Sequence, residues 1–298
     1  MATYNGAQFL PAQLNSLLAQ THQNWSLVVS DDGSRDGTVP LLLAFDRAHP
    51  ARRLRLINGP RQGAASQNFL SMLARRDLPK GMVALADQDD VWLPQKLARA
   101  ADHLAQCPDA VPAIYATQSI FTDQNLAPLR QKNTRMATPS FRNALVQNLF
   151  SGHSTVLNAA AVDLVKSAGR PQNIAFHDWW LYQLVAGAGG LCMLDPAQTV
   201  LYRQHGRNVL GASHGVLGAV RRLGHLMRND YVAWLSAHWH ALHDARHHLT
   251  PDARDLLRDL LAPSVQESRT AQFRRLHLHR SSSQGTAALW LAARLGWV

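Results

Sequence analysis

The chain is poor in the residues that mark several common protein classes. It carries 2 cysteines in 298 residues, Cys107 and Cys192, far apart in sequence. Two thiols so separated make neither a zinc site nor a disulfide framework, and they fit a reducing cytoplasm. No uninterrupted apolar run of about 18 residues occurs, so no spanning helix is expected, and no secretory signal opens the chain. Zinc-finger, recognition-helix and aromatic RNA-binding signatures are missing too, so no nucleic-acid partner is expected. The last third, from Arg203 to Val298, contains thirteen arginines and six acids but no lysine.

What is present describes a globular enzyme-sized chain. With 46% hydrophobic and 17% charged residues, it can fill one large α/β domain, or a domain plus an appendage. The net charge of +10 is weighted toward the last third. That is either a solvated basic surface or an attraction for anionic phosphate, such as lipid head groups.

The first half alternates helix and strand signals in the manner of a βαβ fold. Met1 to Gly6 reads as the tail of a strand running into a turn, with no strand in front of it. Phe9 to Gln20 has helical spacing of Phe9, Leu10, Leu14, Leu17 and Leu18. Trp25 to Ser30 is β-rich and ends in Asp31-Asp32-Gly33-Ser34, where Ser34 is expected to cap a helix through Leu43 and Phe45. Strands are expected at Leu54–Ile57 and Met82–Ala86, and helices at Ala64–Arg75 and Pro94–Ala105. Beyond Pro112 the pattern is mixed: strands at Ala113–Thr117, Thr155–Asn158 and Leu191–Leu194, and helices at Ala159–Ser167 and Asp178–Ala186. After Gly211 it turns helical, Val216, Leu217, Val220, Leu223 and Leu226 alternating with Arg221, Arg222 and Arg228. A final helix is expected at Ala287–Trp297, too short to span a bilayer but able to lie on one.

Three of these strands end in polar turns, and parallel α/β sheets bind ligands at the carboxyl ends of strands. Asp31, Asp32, Asp87 and Asp89 are therefore expected around one crevice. Asp87-Gln88-Asp89-Asp90 places three carboxylates in four residues, which repel unless a cation sits among them. Oxygen ligands of this kind suit Mg²⁺ or Mn²⁺. Taken alone, the same segment is also an ordinary acidic turn before a helix.

Ala2-Thr3-Tyr4-Asn5-Gly6, Asp31-Asp32-Gly33-Ser34 and Asp87-Gln88-Asp89-Asp90 together resemble, in order and spacing, the family 2 glycosyltransferases of the GT-A fold. The likeness continues through His177-Asp178-Trp179-Trp180 and Leu201-Tyr202-Arg203-Gln204-His205-Gly206. It covers about residues 1–212 and is nearest to the bacterial rhamnosyltransferase branch of surface polysaccharide synthesis. It implies an α/β fold with a mixed, Rossmann-like sheet flanked by helices, and a basic helical extension over 213–298. It implies an inverting, metal-dependent sugar transfer from a nucleotide diphosphate sugar to a saccharide or lipid-linked saccharide acceptor. Thr3, Tyr4, Asp32 and Asp87 then match nucleotide-sugar-binding positions, Asp89 and Asp87 the metal ligands, and Asp178 the catalytic base. The family's first strand should precede Ala2, and its base motif commonly reads Glu-Asp where this chain has His177-Asp178. The corresponding localisation is cytoplasmic, peripheral on the inner membrane face.

Each assignment has a plainer counterpart. Asp178 is also an ordinary acid at a helix N-terminus, and His177 is an alternative base because imidazole titrates near neutrality. Trp179 and Trp180 are core residues or a sugar platform. Arg203, His205 and Arg207 form a solvated loop or clasp the diphosphate, and Arg61 is a weaker phosphate candidate. His153 is structural or lines the acceptor pocket. His243 and His247 have chelating spacing but no adjacent Glu, so a packing helix is the better reading. A non-catalytic nucleotide-binding or membrane-associated scaffold of the same fold is the alternative function.

Overall fold

A computed structural model describes residues 1–130, 136–205, 216–262 and 266–298, with the backbone alone over 216–229. Arg207 and Gly211 lie outside the described residues, as do the side chains of the apolar and arginine pattern from Val216 to Arg228.

Two sheets meet at the start of the chain. Strands β1 (Ala2–Thr3), β2 (Val28–Asp31) and β3 (Arg55–Asn58) form a parallel sheet in the order β1-β2-β3. The second sheet has the order β4-β7-β6-β8-β5, built from β4 (Val83–Ala84), β5 (Val91–Trp92), β6 (Ala113–Thr122), β7 (Val156–Leu157) and β8 (Leu191–Arg203). Its long central pair, β6 and β8, is parallel, and the other pairings are antiparallel. The Ala2 N–H donates to the Ala86 carbonyl at 3.2 Å, so the two-residue β1 links the sheets.

Helices cover both sheets: α1 (Leu10–Leu18), α2 (Thr38–Ala48), α3 (Ala65–Leu73), α4 (Lys96–Leu104), α5 (Phe141–Ala144), α6 (Ala159–Ala168) and α7 (His177–Gly187). Then follow α8 (Val216–Asp244), α9 (Pro251–Leu261), α10 (Arg269–Arg275) and α11 (Ser283–Arg294). Local chemistry sets several of their starts. Asn158, Thr250, Ser268 and Ser282 each accept the backbone N–H three residues on, which satisfies an orphan donor of the first turn. Ser34 does not play this part. Its hydroxyl is held by Asp31 at 2.6 Å, and α2 starts later, after Gly37.

One apolar core runs from Phe69 and Leu70 on α3 through Trp179 and Trp180 on α7 to Leu235, Trp239 and Leu242 on α8, and on to Leu289. The C-terminal helices are thus packed onto the same core as the mixed sheet. Both Trp179 and Trp180 are buried, so neither serves as a sugar platform. Of the C-terminal histidines, His238 is buried and bonded to Gln183, while His243 and His247 are exposed. No helix among the described residues is long and apolar enough to cross a membrane.

Candidate active site

The carboxyl end of β2 is a closed polar knot. Asp31 accepts four hydrogen bonds, from the Thr3 hydroxyl (2.8 Å), the Ser34 hydroxyl (2.6 Å) and the Gly33 and Ser34 N–H groups (3.1 and 2.8 Å). Asp32 accepts the N–H of Arg61 (2.6 Å) and of Gly63 (2.9 Å), tying the turn after β3 to the turn after β2. Only glycine fits at residue 59, because a Cβ there would stand 2.9 Å from both the Asp31 carbonyl and Asp32 Oδ1. Arg61 therefore contributes its backbone here, at a positive φ of 57°.

Across β1 lies the second acidic turn. Tyr4 and Gln88 exchange two hydrogen bonds of 2.9 Å between backbone and side-chain amide, which clamps the turn 87–90 to the residue after β1. The Tyr4 ring is 52% exposed beside this clamp. The two acidic turns so flank one strand end, as the positions at strand termini predict.

The second turn is electrostatically incomplete. Burial, then the charges of Asp89 and Asp178, push the Asp87 carboxyl up to about 7. Asp90 is fully buried, with Oδ1 accepting the Arg203 N–H at 3.2 Å and Oδ2 left without a partner. Its carboxyl is held well above the usual range by burial and by Asp87 and Asp89. Lys96, only 1% exposed, donates to the Ser154 carbonyl at 3.2 Å and sits over the Trp92 ring. Burial brings its ammonium down to about 7, against the pull of Asp90. Burial, reinforced by Lys96, lowers His153 to about 3, which keeps this imidazole neutral.

Asp87, Asp90 and His153 each offer a donor atom, and the three atoms lie within 4.8 Å of one another. Two carboxylates disfavoured as anions, an orphaned oxygen and a neutral imidazole are a donor set that a divalent cation fits. Asp89 stands beside them and bonds to His205 Nε2 at 2.7 Å. His205 stacks on Phe9. Arg203 is buried rather than solvated. Its Nε donates to the Asp89 carbonyl at 2.8 Å, it reaches the Gln124 carbonyl, and it lies over the Phe9 ring. Arg203 and His205 thus brace the acidic turn.

Asp178 enters from α7. Its Oδ2 accepts the Gly152 N–H and its Oδ1 the Trp179 N–H, both at 2.8 Å, which fixes the orientation of the carboxylate. The Gly152 that holds Asp178 directly precedes His153, one of the three clustered donors, so Asp178 stands near that cluster. His177 turns away: its ring stacks on Phe69 at 4.2 Å, and its buried Nε2 has no hydrogen-bond partner. Burial lowers its pKa, opposed by Asp178. A Cβ on residue 152 would sit 2.7 Å from that nitrogen, so the turn that carries His153 needs glycine there.

A parallel sheet joined to a mixed one, with acidic turns at the strand ends and a donor set fit for a divalent cation, matches the GT-A arrangement. The comparisons agree. The model of "Glycosyl transferase family 2" matches residues 1–160, and the chain belongs to that family. It is 30% identical over 237 residues to the dTDP-rhamnosyl transferase RfbG of Shigella flexneri, covering 78% of this chain and 80% of that one. Its fold is similar to the mannosyltransferase PcManGT of Pyrobaculum calidifontis, solved with GDP-Man and Mn²⁺. That match has a TM-score of 0.54 at 18% identity, over 99% of this chain and 84% of that one. The fold is equally similar to residues 1–349 of S. aureus TarS, solved with UDP-GlcNAc, with a TM-score of 0.54 at 13% identity, over 99% and 90%. The chain is a glycosyltransferase.

Sequence reasoning passed over Lys96, and it counted Asp90 in the acidic turn without giving it a role of its own. The signal for Lys96 was faint: one lysine six residues after the acidic turn, at the start of a helix whose other side chains alternate normally.

Proposed function

We propose that the chain transfers a sugar, rhamnose foremost, from a deoxythymidine or uridine diphosphate donor to a saccharide or lipid-linked saccharide in cell-surface polysaccharide synthesis. Residues 1–212 act as the catalytic part and 213–298 as a helical extension, whose basic surface meets an anionic membrane on the cytoplasmic face. The observation that carries the reading is the cluster of Asp87, Asp90 and His153 donor atoms, with an orphaned Asp90 oxygen and with Asp178 held by the neighbouring Gly152 N–H.

On this reading Thr3, Tyr4 and Asp32 hold the nucleotide. Asp32 has two oxygens engaged by N–H groups but keeps lone pairs to accept from a base N–H. Asp87 and Asp89 would hold Mg²⁺ or Mn²⁺, with Asp90 and His153 clustered about Asp87 and Arg203 and His205 bracing the turn. When bound, the cation supplies the positive charge that offsets the departing diphosphate. Asp178, oriented by two N–H donors, takes the proton from the acceptor hydroxyl as that oxygen attacks the anomeric carbon. Attack opposite the diphosphate inverts the anomeric centre. His177, buried and neutral, packs behind Asp178 in place of the acid found in relatives of the Glu-Asp type.

The test is a turnover screen of nucleotide diphosphate sugars, dTDP-rhamnose first, with Mn²⁺, Mg²⁺ or EDTA. Metal-dependent release of a nucleoside diphosphate from one donor supports the reading. Binding without release in every condition favours a non-catalytic member of the fold.

A further inference from the structure

The described residues expose few large apolar side chains, and two of them stand together at the end of β6. Phe121 is 42% exposed and Leu129 is 43% exposed. A bridge between Thr122 and Pro128 puts Leu129 directly opposite Phe121, and the Leu129 N–H donates to the Phe121 carbonyl at 2.8 Å. On the other side Phe121 is in register with Tyr202 of β8. Residues opposite one another across strands share a face, so Leu129, Phe121 and Tyr202 form one row across three segments.

That row leads inward to the chemistry. Phe121 and Tyr202 meet at 79° with centroids 5.4 Å apart, and they make an aromatic corner. Tyr202 stacks at 4.2 Å and 12° on His153, whose Nε2 bonds to the Ser119 hydroxyl at 2.7 Å. His153 is one of the three clustered donors, and the neighbouring Gly152 N–H holds Asp178. Exposure falls along the row, from exposed Phe121 through half-buried Tyr202 to buried His153.

We propose that the Leu129–Phe121–Tyr202 row is the acceptor platform, taking the apolar face of a pyranose ring. This rests on the reading of Asp178 as the base for an acceptor hydroxyl. An aromatic face carries partial negative charge, which suits the outward C–H groups of a sugar ring. The Tyr202 phenol and the polar atoms deeper in the crevice suit its hydroxyls. Exposed apolar groups beside a polar crevice are the usual composition of a ligand site.

Saturation-transfer NMR of the full chain with methyl pyranosides of rhamnose, glucose, galactose and N-acetylglucosamine tests this without turnover. At least one should receive saturation on its ring protons in the wild type. Phe121→Ala, a surface change that leaves the core intact, should weaken its Kd fivefold or more, and Phe121→Tyr should restore it to within twofold. Donor hydrolysis without acceptor tests the base separately: its loss in Asp178→Asn supports the base reading, and equal hydrolysis in wild type and Asp178→Asn counts against that reading and not against the platform. Three results would overturn the platform: no pyranoside bound by the wild type, equal affinity in wild type and Phe121→Ala, or weakening of octyl but not methyl glucoside. The last would mark an alkyl groove.

Discussion

The two acidic turns stand at neighbouring strand ends and have the same residue chemistry, yet their electrostatics are opposite. Asp31 is saturated by four donors within the protein, and each Asp32 oxygen is held by one backbone N–H that fastens an adjoining turn, with lone pairs to spare. Asp87 and Asp90 have no such supply. One is pushed to about 7 by burial and like charge, and the other keeps a buried oxygen without a partner. A carboxylate that the fold satisfies contributes to stability; one that the fold leaves short costs stability until something else arrives. The first turn is a fastening and the second a receptor for positive charge.

The largest expected effect tests the receptor side through its reacting partner. Asp178→Asn keeps one oxygen to accept an N–H, gives up the other and cannot take a proton, so kcat should fall about 10³-fold or more with donor KM nearly unchanged. A collapse of donor affinity instead would show that Asp178 holds the donor. Next comes Asp87→Asn, which should cost about 10²-fold or more in metal-dependent turnover. The same change should stabilise the metal-free protein at pH 8 by about 1–2 kcal/mol, after allowance for partial exposure. The sign follows from the raised pKa: the folded state carries the cost of an ionised Asp87 as pH rises through about 7. Urea unfolding with EDTA checks it.

Asp31→Ala should do the reverse. Four lost hydrogen bonds at a buried site should cost about 2–4 kcal/mol of stability, read by denaturant unfolding. Turnover per folded molecule should fall much less than in Asp87→Asn. The smallest effect lies away from both turns. His238 is held neutral by burial, its pKa lowered from 6.5 to about 3. The unfolded chain therefore binds more protons below about pH 6.5, and stability should drop by about 2 kcal/mol between pH 8 and pH 5. His238→Gln should flatten that acid limb, and an unchanged slope would assign it to other groups.

Both turns were legible in the sequence because apolar runs ended in polar, turn-forming residues at three points, two of them acidic, a pattern that chain chemistry sets locally. The fold class and the order of the helices were legible for the same reason. Lengths were not. β6 continues to Thr122 and β8 runs from Leu191 through Pro196 to Arg203, because each is held by ten residues of mutual pairing rather than by its own alternation. β4 is only two residues where five were expected. Ser34 looked like a helix cap, and the Asp31 carboxylate three residues earlier captured its hydroxyl instead. Lys96 carries no local signal of burial; it is buried with its ammonium on the Ser154 carbonyl, 58 residues away. The Phe121–Tyr202 corner likewise depends on register between strands 81 residues apart, which no local pattern encodes.

The contrast between the turns is tested most directly by thermal unfolding of wild type and Asp87→Asn, each with EDTA, with MnCl₂, and with MnCl₂ plus dTDP. Wild type should gain several degrees in Tm with MnCl₂ plus dTDP over EDTA, while Asp87→Asn starts higher and gains little. A wild type indifferent to metal, or a variant that responds as strongly, would contradict the assignment of the second turn as the receptor.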